Sequence, residues 1–158
     1  MPIYYQSQLE EGALLNKGIR VESAAALILA SAVTKFTVSG GNVLMTGFYG
    51  EIMVDIANTG CVLSVIHTPT VGTATTIAAA GGGTDIKTYV AGRCCLLPAA
   101  LTGIMTYTAT GYGLMTATKY ILRPGILSVT GTGAPATGTI RWFMFYVPVD
   151  YGAYVTGS

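Results

Sequence analysis

Charge is what this sequence has least of. Eight basic and seven acidic side chains in 158 residues amount to 9%, against roughly 25% in ordinary soluble domains. A folded chain of this mass presents a surface of about 7,500 Å². Most of that surface therefore falls to Thr, Gly, Ala, Tyr and apolar groups, and an isolated subunit covered in this way tends to associate. Lys and Arg stand singly from Lys17 to Arg141, so no basic stripe tracks a phosphate backbone. Nucleic acid is not an expected partner.

Histidine, cysteine and long apolar runs are scarce too. His67 is the only histidine, so catalysis of the Ser-His or Cys-His kind has to pass through it. Beside Thr68 and Pro69 at a strand end, it reads as a structural residue. The acids show no paired spacing: Glu51 and Asp55 share a strand face about 13 Å apart, too far for one carboxylate dyad. A structural zinc would require Cys61, Cys94, Cys95 and His67 all together. The glycine clusters at 81–83 and 131–138 do not match GxxxxGK(S/T) and lead into no convincing helix, so they read as turns. The expectation is a protein without enzymatic activity, metal or cofactor. Three cysteines leave one over from any intrachain pairing, and adjacent Cys94 and Cys95 point to opposite strand faces; free buried thiols in a protein made in a reducing cytosol are expected. The longest run without a charge or strong breaker, Ser23 to Thr34, is about twelve residues, too short to span a membrane. The opening residues show no basic and apolar export pattern. No membrane partner is expected.

What the sequence does have is short β-forming segments punctuated by glycine. The strongest is Thr139–Val147, aromatic and branched with no breaker. As a strand it places Ile140, Trp142, Met144 and Tyr146 on one face, and Arg141, Phe143, Phe145 and Val147 on the other. A strand apolar on both faces must be covered on both, and a two-layer sandwich covers only one. The second set is therefore expected at a subunit interface. Phe48–Ile56 alternates, with Tyr49, Glu51, Met53 and Asp55 toward water. Further strands are predicted over Val33–Val38, Val43–Thr46, Cys61–His67, Val71–Ile77, Asp85–Val90, Cys94–Leu97, Gly103–Thr110, Leu114–Leu122, Gly125–Thr130 and Gly152–Thr156. Glu22–Ala30 fits either a helix or a strand. Residues 1–22 read as an extended arm with a short helix at Leu9–Leu15, and 23–158 as one all-β domain. Eight to ten strands fit an antiparallel two-sheet sandwich of jelly-roll type.

Two stretches, KFTVSGGNVLMTGFYGEI (Lys35–Ile52) and PGILSVTGTGAPATGTIRWFMFYVPVDYGAYV (Pro124–Val155), carry a resemblance to the small capsid decoration, or cement, proteins of tailed bacteriophages. In that group an ending of glycine, hydrophobic strand, Tyr-x-Pro and Gly-Ala-x-Val recurs, matched here by Gly138, Trp142, Tyr146, Pro148, Gly152, Ala153 and Val155. The resemblance spans roughly Lys35–Val155. It implies a β-sandwich that forms a homotrimer on the outer surface of the virion head and clamps neighbouring major capsid subunits. Ile3, Tyr4, Tyr5 and Leu9 would then be a capsid-contacting arm. The competing expectation is a host-surface or carbohydrate-binding part of a fibre, spike or tail, in which Tyr49, Tyr107, Tyr112, Tyr151 and Tyr154 stack on sugars.

Overall fold

The computed structural model describes residues 18–108 and 119–158. The arm residues Ile3, Tyr4, Tyr5 and Leu9, the helix expected at Leu9–Leu15, and Tyr112 lie outside the described residues. Within them all regular structure is β, and there is no helix, hence none long and apolar enough to cross a membrane. The chain runs through β1 (Ile19–Glu22), β2 (Ala26–Leu27), β3 (Val33–Ser39), β4 (Val43–Val54), β5 (Leu63–Pro69) and β6 (Thr75–Ala78). It continues through β7 (Cys94–Leu96), β8 (Thr106–Tyr107), β9 (Tyr120–Leu122), β10 (Gly125–Gly131), β11 (Thr139–Pro148) and β12 (Tyr154–Gly157).

These strands form two antiparallel sheets. One has the order β1-β11-β4-β7-β8, with β2 also on β11 and β9 also on β4; the other has the order β12-β3-β10-β5-β6. The pairings are nested in sequence. β3 pairs β12, β4 pairs β11, β5 pairs β10 and β7 pairs β8, as if one long hairpin had been rolled into two layers. Consecutive strands such as β3 and β4, or β10 and β11, lie in opposite sheets, and their inward faces meet to form the core.

The inward face of β11 is the one expected: Ile140, Trp142, Met144 and Tyr146 are all buried. Trp142 sits directly across from Gly50 of β4, and a Cβ at Gly50 would come within 2.7 Å of the indole Cζ3. The absent side chain is the space the indole occupies. Phe48 lies against Trp142 at 5.2 Å between ring centroids, and Phe36 of the other sheet meets Phe48 edge-on at 5.8 Å. This aromatic chain joins the layers, and each such pair adds about 0.5–1.5 kcal/mol beyond area burial.

Several elements differ from the sequence reading for identifiable reasons. Ile19–Glu22, assigned to the arm, is a strand on β11. Glu22–Ala30 is not a helix; Ala26 and Leu27 pair with Ile140 and Thr139. The strands expected at Val43–Thr46 and Phe48–Ile56 are one strand, because a register shift at Phe145/Tyr146 lets the ladder run past Gly47. No strand forms over Asp85–Val90: Asp85 Oδ1 accepts hydrogen bonds from the backbone N–H of Cys61 and of Lys87, each 2.9 Å, and the second closes a turn. Those bonds hold the Asp85 carboxyl below its usual pKa. The strand expected from Val71 begins only at Thr75, and those at Gly103–Thr110 and Leu114–Leu122 reduce, in the described residues, to β8 and β9.

Gly50→Ala forces a methyl against the fixed indole. It should lower stability by about 1–3 kcal/mol, read as a fall in the urea midpoint at unchanged slope. Gly81, with nothing within 4 Å of an added Cβ, is the control, and Gly81→Ala should stay within about 0.5 kcal/mol.

Candidate interaction surface

Residues directly opposite one another in adjacent strands share a face, so the register determines what surrounds Arg141, Phe143, Phe145 and Val147. Phe143 is flanked by Glu22 of β1 and Tyr49 of β4, and Tyr49 in turn faces Leu96 of β7. Phe145 lies between Arg20 and Gly47, and Glu51 between Arg141 and Cys94. Farther along, Val147 faces Leu44, and Leu44 faces Ile121 of β9.

The middle of this outer face is closed by the chain itself. Phe143 is only 2% exposed. Its ring stacks on Tyr49 at 4.7 Å, and the guanidinium groups of Arg20 and Arg141 lie over it at 4.8 and 5.0 Å from the centroid. Tyr49 also stacks on Phe145 at 6.4 Å. Each guanidinium is held by a carboxylate, Arg20 by Glu22 at 2.8 Å and Arg141 by Glu51 at 3.2 Å. Such half-exposed ion pairs contribute at most about 1 kcal/mol. Their larger effect is to pair off the charges over the stack while keeping cations on the aromatic rings. Burial raises the Tyr49 pKa, with Arg20 opposing, so its hydroxyl stays protonated at neutral pH.

The other end remains open. Phe145, Val147 and Leu44 are half-buried, and Ile121 is 67% exposed. Of the four interface residues expected from sequence, Phe143 thus belongs to the subunit's own packing, while Arg141, Phe145 and Val147 still meet solvent. Tyr49, Leu44 and Ile121 join them through cross-strand register, which one strand's alternation does not reveal.

The other residues singled out from sequence have structural surroundings. His67 is the last buried residue of β5. Its Nε2–H donates to the Arg123 carbonyl at 3.1 Å, and burial lowers its pKa against the raising effect of that bond. Cys61, Cys94 and Cys95 are free thiols, and burial pushes all three upward in pKa. Among the described residues, no group of three or more His, Cys, Asp or Glu side chains converges as a metal site would require. Of the tyrosines expected to stack on sugars, Tyr107 packs on the core edge-on to Tyr89 at 5.5 Å. Tyr151 is fully exposed and Tyr154 about half exposed. Tyr151 sits on a turn pinned by Asp150, whose Oδ2 accepts the Asn42 N–H at 2.7 Å.

Comparison with protein-family models, with curated proteins and with solved structures finds no match for this chain.

The division of the outer face is measurable. Phe143→Ala should destabilise the isolated subunit by about 3 kcal/mol, as for a buried aromatic, whereas Phe145→Ala should cost about 1 kcal/mol. Chemical denaturation of both variants tests this, and equal losses would contradict it.

Proposed function

We propose that this chain is a structural virion protein. As a homotrimer it binds the outer surface of a tailed-phage head and stabilises contacts between major capsid subunits. The observation that carries this reading is the open apolar end of the outer face, Phe145, Val147, Leu44 and Ile121, beside an aromatic cluster whose charges are paired off. An apolar centre with Arg and aromatic residues and few free charges is the composition of an interface core. A specific contact needs about 800 Å² from each partner, and many identical copies on a shell multiply a modest individual affinity. The nested pairing of β3 with β12, β4 with β11 and β5 with β10 supports a jelly-roll-like sandwich. The resemblance over Lys35–Val155 supports the virion assignment. On this reading the protein is made in the host cytoplasm, performs no catalysis and needs no cofactor. Its partners are its own copies and the capsid subunits, the latter reached in part by Ile3, Tyr4, Tyr5 and Leu9.

A second reading, a glycan-binding part of a fibre, spike or tail, draws on Tyr151, an exposed aromatic ring on a pinned turn. Loss of a glycan-array signal in Tyr151→Ala would favour it.

Sedimentation with tailed-phage heads stripped of decoration tests the first reading. The protein should pellet with heads to a saturating fixed ratio and delay their thermal disassembly. Val147→Asp combined with Ile121→Asp should break the trimer without unfolding the subunit, and so weaken uptake at least about tenfold, or about 1.4 kcal/mol. Deleting residues 1–11 should lower uptake more than stability. Absence of uptake, or uptake indifferent to these changes, would overturn the proposal.

A further inference from the structure

We propose that the cleft between the two sheets, where β9 parts from β5 and β6, binds a single-chain anionic amphiphile: an apolar chain ending in a carboxylate or phosphate. This inference concerns the isolated subunit and does not rest on the assembly reading.

The cleft consists of two adjoining hollows of about 430 and about 260 Å³ that share His67, Thr75 and Ile121. Small-molecule sites usually measure about 300–1,000 Å³. Its walls come from both layers, β5 and β6 from one sheet and β9 from the other. The segment crossing between them is tied down twice. Thr70 N–H donates to the Pro124 carbonyl at 2.8 Å, and the His67 ring to that of Arg123 at 3.1 Å. Burial keeps His67 neutral at pH 7, so the floor of the cleft carries no charge of its own.

The lining is apolar inside and basic at the rim. Ile77 and Leu122 are buried at the base, while Leu101, Val71 and Ile121 stand exposed around the opening. Lys119 and Arg123 bracket β9, each one residue beyond an end of the strand. One lines each hollow. Among the described residues no carboxylate lines either hollow. The acids of the described residues are engaged elsewhere: Glu22 and Glu51 with arginines, Asp85 with Lys87, Asp55 with the Ala91 N–H and Asp150 with the Asn42 N–H. Among the described residues neither Lys119 nor Arg123 has an ion-pair partner. In a chain so poor in charge, two unneutralised cations beside an apolar hollow complement an anion that carries an apolar body.

Two other kinds of occupant fit less well. An added peptide strand needs a free edge, but the edge of β6 is capped from Ile77 onward: Thr102 N–H donates to the Ile77 carbonyl at 3.1 Å and Ala79 N–H to that of Gly103 at 2.9 Å. A sugar needs an exposed aromatic platform, and Tyr120, the lining tyrosine among the described residues, packs its ring against the core. Its buried hydroxyl has no hydrogen-bond partner.

Calorimetric titration below the micellar concentration tests the site, using dodecanoate, dodecyl phosphate, dodecanol and inorganic phosphate. Dodecanoate or dodecyl phosphate should bind at one site per subunit, at least about tenfold tighter than dodecanol; inorganic phosphate alone should not register. The stronger of the two anions identifies the head group. Lys119→Ala with Arg123→Ala should erase the preference for the anion and leave dodecanol binding in place. Thr75→Trp, at an exposed position, should obstruct both hollows and abolish binding of either. Equal binding of anion and alcohol, an unchanged preference in the double variant, or no binding at all would overturn the inference.

Discussion

The indole of Trp142 lies across Gly50 on the neighbouring strand, and the alignment of the two longest strands is tied to that contact. β4 and β11 pair from Thr139 against Val54 to Pro148 against Val43. Side chains alternate with a period of two, so a slip of one residue would turn Phe143 and Phe145 into the core and Trp142 out to solvent. Only at glycine is there room for the indole, and Phe48 and Phe36 then carry the contact to the second sheet. The placement of Arg141, Phe145 and Val147 on one outward surface with Leu44 and Ile121 therefore follows from how the core is packed.

The sparse charges are divided in a way that gives each surface its character. On the outer face of the larger sheet two arginines meet two glutamates over an aromatic stack, so the charges over that stack are paired. At the cleft beside β9 Lys119 and Arg123 have no carboxylate beside them among the described residues. Ile121 borders both regions. The outer contact and the cleft therefore share one residue.

The two-sheet, all-β architecture and the inward face of β11 were legible because strand alternation is a local signal that packing reinforces. What needed the structure was everything set across strands. Leu44 and Ile121 join Val147 through register, and Tyr49 joins Phe143 the same way; no spacing along the chain encodes either. Local hydrogen bonding overrode β-propensity at Asp85, whose carboxylate organises a turn in what reads as a strand. Lys35 is buried for a reason no spacing encodes. It is the residue skipped by the register shift between β3 and β10, and there a charged side chain ends up 5% exposed. Burial lowers its pKa. The cleft escaped the sequence reading because its walls come from segments that meet only through the crossing from β9 to β10; His67 is one of those walls.

The claim on which this account turns is that the outer face of β11, β4 and β9 is a contact between copies of the chain. The most direct measurement is the absolute mass of the purified protein by light scattering after size exclusion, over about a tenfold range of concentration, since a weak association dissociates on dilution. The account predicts a constant mass three times that of the 16.3 kDa subunit. A constant mass of one subunit across that range would contradict it.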